Sequence, residues 1–149
     1  MARKLATLDD GAARTATAEG YVQTLNRTIH RTTAAARALR RGEIWKATLQ
    51  LDELRRFALQ LACMNIHERE SVDTLADSLP KALKESFALT LPAAATAEAI
   101  LASLAAAIDL VIDQAAALDR RHSTPHSESV GSLLREHLEN QGVRSQESE

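Results

Sequence analysis

The stretch Leu39-Arg-Arg-Gly-Glu-Ile-Trp-Lys-Ala47 lies between two long, alanine-rich runs of helical character, and its reading decides the fold. Gly42 is free to adopt the left-handed conformation that ends a helix. Arg40 and Arg41 stand at the negative end of the preceding helix dipole, and Glu43 at the positive start of the next. The stretch therefore reads as a tight turn between two helices. It also carries the chain's only tryptophan, Trp45, which a turn does not require.

The runs on either side agree with this. From about Thr17 to Arg41, Tyr21, Val22, Leu25, Ile29, Thr32, Ala36 and Leu39 recur at i, i+3, i+4, i+7, the spacing of an amphipathic helix. From Glu43 to about His67, Ile44, Ala47, Leu51, Leu54, Ala58, Leu61 and Ala62 repeat it. Each helix would be roughly 35 Å long at about 1.5 Å per residue. The region from about Ser71 to Pro92 is less regular. Pro80 suits a helix start, Leu79, Leu83, Phe87 and Leu91 form one stripe, and Pro92 closes it. Thr96 is a good N-cap for a long helix whose stripe runs from Ile100 through Ile108 and Ala115 to Leu118. A break at Ser123-Thr124-Pro125 precedes a short helix with Val130, Leu133, Leu134 and Leu138.

No run alternates as a strand would, and no repeat of 20–50 residues is present. The expected fold is all-α, an antiparallel up-and-down bundle of four to five helices. The expected division is a flexible segment over 1–16, a bundle over 17–140 and a disordered tail over 141–149. A length of 149 residues fits one domain that needs no disulfide or metal staple. With 18 basic and 20 acidic residues the net charge is −2, so nothing asks for nucleic acid or an anionic membrane. The single cysteine, Cys63, fits a reducing compartment. The most apolar window, Ile100 to Leu118, contains Asp109 and Asp113. Each would cost about 2.5–3.5 kcal/mol at a bilayer centre, which opposes a membrane span. A soluble, cytoplasmic protein without a targeting signal is expected.

Sorting positions at about 100° per residue separates the faces. On the first helix Arg27, His30, Arg31 and Arg41 fall away from the stripe, as a solvated basic face or an anion-binding one. On the fourth, Asp109 and Asp113 share a face that is either solvated or a paired-carboxylate site. On the second, Trp45 points opposite the main stripe, with Leu49, Asp52, Arg56 and Cys63 near it. Trp45 either packs under the loops and the last helix or forms a docking surface. Cys63 and His67 are four apart, but a cysteine in an apolar run is more often core than nucleophile. No phosphate loop, zinc pattern or nucleophile elbow occurs, and no metal or cofactor is expected in this chain.

Two resemblances remain. Arg121-His-Ser-Thr-Pro-His126 resembles the R-x4–6-H motif of the HEPN family of helical, often dimeric ribonucleases and toxins, with Pro125 departing from the family's helical context. A longer likeness runs from about Tyr21 to His137. Arg41-Gly-Glu-Ile-Trp-Lys-Ala47, then Leu51 and Leu54-Arg55, the connector with Leu79-Pro80 and Leu89-Thr-Leu-Pro92, and the alanine-rich helix from Ala97 are similar to the C-terminal helical domain of bacterial nucleotidyltransferases, the aminoglycoside adenylyltransferases among them. Leu5 to Gly11 resembles the end of the preceding catalytic domain. In that family, aspartates after a Gly-Ser pair hold Mg2+ for nucleotidyl transfer, and that motif is absent here. The resemblance thus implies a stand-alone or split module that binds substrate or a partner, such as a separate catalytic domain, and is not a transferase by itself. It points to the start of the second helix, where Glu43, Trp45, Leu49, Asp52 and Arg56 are the candidate site. The alternatives are a HEPN-like ribonuclease using Arg121 and His126, and a structural helical homodimer.

Overall fold

The computed structural model describes residues 15–70, 72–123, 131–136 and 139. Among them the chain is all-α and has no strand. Helix α1 spans Ala18–Arg40 and α2 spans Ile44–His67. A single turn, α3 (Val72–Leu75), leads into a 3-10 turn over Ala76–Ser78. Then come α4 (Lys81–Ala88), α5 (Ala97–His122) and a helical stretch, α6, over residues 131–136.

Local chemistry sets the ends of these helices. Thr17 caps α1, its hydroxyl accepting from Gly20 N–H at 3.0 Å. Thr96 caps α5 in the same way, accepting from Ala99 N–H at 3.2 Å. Between α1 and α2, Gly42 has φ +71°. Glu43 N–H donates to Ala38 C=O at 2.9 Å and Gly42 N–H to Leu39 C=O at 3.1 Å. These are the two bonds of a Schellman cap, and they turn the chain back on itself within three residues.

The core is built from small residues between larger ones. Ala35 and Ala38 on α1, Ala47, Ala58 and Ala62 on α2 and Ala107 and Ala115 on α5 are buried, which lets the helices approach closely. Leu51, Leu54, Leu61, Met64, Ile108 and Leu118 fill the space between them. Buried Thr24, Thr28 and Thr32 donate to carbonyls of their own helix at 2.6–2.9 Å, so their hydroxyls need no outside partner. In α6, Leu134 is fully buried and joins the same core.

Polar contacts give the helix directions. Tyr21, at the start of α1, bonds Asp119 at the end of α5, so these two helices run in opposite directions. Asn65 donates to Gln114 at 3.0 Å, and Arg121 pairs with Glu68. The ends of α2 and α5 therefore meet, and these helices run the same way. The chain between them must climb back, held by buried Leu79, Phe87 and Thr90. Arg55 of α2 fastens the top of this climb, donating to the Thr90 hydroxyl at 2.9 Å.

Two sequence expectations are corrected. Leu91 lies beyond α4 and is exposed, because Thr90 closes the helix and takes the buried position. Thr15 and Ala16, at the end of the segment expected to be flexible, are hydrogen-bonded to the end of α2: Ala16 N–H donates to Glu68 C=O at 2.9 Å and Arg69 to the Thr15 hydroxyl at 2.7 Å. The rest of the segment expected to be flexible, and the tail over 141–149, lie outside the described residues. The basic face of α1 is not simply solvated. Arg31 is half-buried and donates to Gln50 at 3.0 Å, and Arg27 lies over the Phe57 ring at 5.9 Å. Asp109 and Asp113 are both exposed.

Candidate functional site

Helix α2 is packed on one side and open on the other. Ala47, Leu51, Leu54, Ala58 and Leu61 are fully buried against α1 and α5. On the far side Trp45, Leu49, Asp52 and Arg56 follow i, i+4, i+7 and i+11, and all four are exposed. Trp45 is 74% exposed and Leu49 is 65% exposed. The reading in which Trp45 packs beneath the loops and the last helix is therefore overturned. Cys63, expected near Trp45, is instead fully buried.

The charges flanking this apolar pair are held locally. Glu43 lies within 3.4 Å of Lys46 and 4.0 Å of Arg41. Asp52 pairs with Arg55 at 3.2 Å, and Arg56 with Asp73 at 3.5 Å. Glu43 is the N-cap residue of α2, makes no side-chain cap bond and is half-buried. It is the one member of the expected set that precedes the helix, and its carboxylate faces Lys46 and Arg41. These pairs are surface contacts worth little individually, so they frame the Trp45–Leu49 pair and add little stability.

A second candidate lies at the opposite end of α2. Thr15, Ala16, Met64, Glu68, Arg121 and His122 line a pocket of about 240 Å³. This is below the roughly 300–1,000 Å³ of clefts that take drug-sized ligands. Beside it the Tyr21 hydroxyl donates to Asp119 at 2.6 Å and lies 3.1 Å from Ala115 C=O. The Tyr21 ring stacks on His122 with centroids 6.1 Å apart. Burial first, and then the bond to and charge of Asp119, push the Tyr21 phenol well above its ordinary range. His122 Nε2 and His67 Nε2 are buried and have no hydrogen-bond partner among the described residues. Glu68 and Ser123, which end α2 and α5, both have φ near +55° (56° and 55°), an uncommon conformation for residues with a side chain. The sequence reading missed this cluster. Its one signal is Asp119, an acid beside the apolar stripe four residues after Ala115.

Other candidates carry less. Burial pushes the Cys63 thiol up to about 11, and a thiol so placed is inert. Among the described residues no group of three His, Cys, Asp or Glu side chains is arranged to hold a metal. Arg121 is engaged by Glu68, and His126 lies outside the described residues. By length and composition α5 could cross a membrane, but half of its apolar window is buried inside the fold. No family profile matches the chain, and no curated protein matches it.

Proposed function

We propose that the chain is a helical interaction module whose working surface is the outer face of α2. The observation that carries this is the exposure of Trp45 and Leu49, one helical turn apart, in a segment whose turn needs neither. Burying an aromatic or leucine side chain is worth about 1.5–3 kcal/mol, so a partner covering both would gain several kcal/mol. Trp is also the residue type most enriched at binding hot spots.

The resemblance of the Arg41-Gly-Glu-Ile-Trp45 segment to the C-terminal domain of nucleotidyltransferases supports a more specific form. In that form the bundle is antiparallel, up-and-down and of four to five helices. It works in the bacterial cytoplasm, transfers no nucleotide itself, holds no cofactor, and meets a separate nucleotidyltransferase catalytic domain at this face. The second reading, a homodimer, is favoured by the charge pattern on the same face. The ribonuclease reading rests on Arg121, which pairs with Glu68, and on His126, which lies outside the described residues.

Because Trp45 is the sole tryptophan, it reports directly on its own face. Titrating the protein with a separately produced nucleotidyltransferase catalytic domain, and in parallel concentrating it against itself, should shift Trp45 emission to the blue in one arm. Trp45→Ala should weaken the association about thirtyfold or more and change stability by no more than about 0.5 kcal/mol, as for a surface substitution. Unshifted emission in both arms would sink the reading.

A further inference from the structure

The exposed face of α2 carries a charge pattern that is complementary to itself when the helix is reversed. Leu49 serves as origin, at about 100° and 1.5 Å per residue. Trp45 then lies about 40° to one side and Glu53 about 40° to the other. Lys46 lies about 60° round on the Glu53 side, and Asp52 about 60° round on the Trp45 side. Lys46 is about 4.5 Å before Leu49 and Glu53 about 6 Å beyond it.

A second α2, laid antiparallel across a two-fold axis at Leu49, returns each flank to itself with the direction reversed. Lys46 of one copy then meets Glu53 of the other on the same flank, at heights within about 1.5 Å. Symmetry makes the contact twice. Leu49 meets Leu49 at the centre. Trp45 meets Asp52 on the opposite flank, with Arg56, which pairs with Asp73 in its own chain, about 4.5 Å farther along. A parallel pairing would instead exchange the flanks and set Glu53 of one copy against Asp52 of the other, acid against acid, with Lys46 against Trp45. Within one chain, Lys46 has only its exposed contact with Glu43, and no ion pair to Glu53 occurs among the described residues.

We infer that the occupant of the Trp45 face is a second copy of this chain, docked through antiparallel α2 helices centred on Leu49. The inference rests on the reading of this face as the working surface and names its partner. A single helix seam sits at the small end of specific interfaces, below about 1,200 Å², so the dimer is expected in the micromolar range.

The test is sedimentation velocity of the full chain from nanomolar to high micromolar concentration, on wild type, Lys46→Glu, Glu53→Lys and the double variant. Both sites are exposed and helical, so each variant should fold, and an acid in the first turn of α2 favours the helix. Each single substitution creates two like-charge contacts and should weaken dimerisation about tenfold, and the double should return it to within about threefold of wild type. Trp45→Ala should weaken it about thirtyfold or more. A dimer indifferent to the charge swaps would overturn this register. A monomer at every concentration would overturn the inference altogether. If Trp45 emission then still shifted with the catalytic domain, the interaction-module reading would survive its loss.

Discussion

Replacing Tyr21 by Phe removes one oxygen and tests how the two ends of α1 and α5 are joined. The ring stays, and with it the packing in the core and the stacking on His122. What goes is the donor to Asp119 at 2.6 Å. The contact with Ala115 C=O at 3.1 Å matters less, since one hydroxyl proton serves one acceptor at a time and that carbonyl is within a continuous helix. A hydrogen bond to a charged, buried acceptor is worth about 1.5–3 kcal/mol. For a chain of this size about 1 kcal/mol corresponds to roughly 2–4 °C, so Tm should fall by about 3–12 °C. The assay is thermal unfolding by circular dichroism at neutral pH. The effect also has a defined pH dependence. The folded Tyr21 phenol is held above its unfolded value of about 10, so its proton stabilises the fold below that pH. This contribution is lost as pH rises above about 10, where the unfolded phenol ionises first. The gap between wild type and variant should therefore narrow at high pH. Cys63 loses stability over the same range but is common to both proteins and cancels. A change in stability below about 0.5 kcal/mol, or a gap that widens above pH 10, would refute the reasoning.

Two further outcomes follow from the same contacts. Gly42→Ala should cost about 1–2 kcal/mol of backbone strain, since φ is +71° there and nothing lies within 4 Å of an added Cβ. Gly42→Asn should cost less, and equal denaturation curves for all three proteins would contradict the left-handed cap. Cys63, buried and with its thiol pushed up to about 11, should stay unlabelled by an aromatic disulfide reagent at pH 8 in the native protein and react at once in urea. Rapid native labelling would show that the end of α2 opens.

The parts of the fold that the sequence makes legible are those set by neighbouring residues. Thr17, Gly42 and Thr96 mark helix ends because capping bonds reach only three to five residues. The Tyr21–Asp119 bond joins residues 98 apart, and no local pattern encodes it. The directions of α2 and α5 are hidden for a related reason, since the connector is broken into short helices and its path depends on Leu79, Phe87 and Thr90 finding the core. Periodicity puts Trp45 opposite the buried stripe and gets its direction right. It puts Cys63 on the same side, yet Cys63 is buried. Period gives the direction of a side chain, whereas its cover depends on which elements pack at that height, and α2 meets α3 besides α1 and α5. The exposed face was thus readable in Trp45, Leu49, Asp52 and Arg56, whereas Glu43 is half-buried at the cap.

The most direct measurement is acrylamide quenching of the sole tryptophan across a concentration series. At nanomolar concentration Trp45 should be quenched as freely as an indole in water, in keeping with its 74% exposure. At high micromolar concentration it should become protected as the second copy covers it. Strong protection already in dilute solution would place Trp45 in the core, and free quenching at every concentration would remove the second copy from the face; either result contradicts the account.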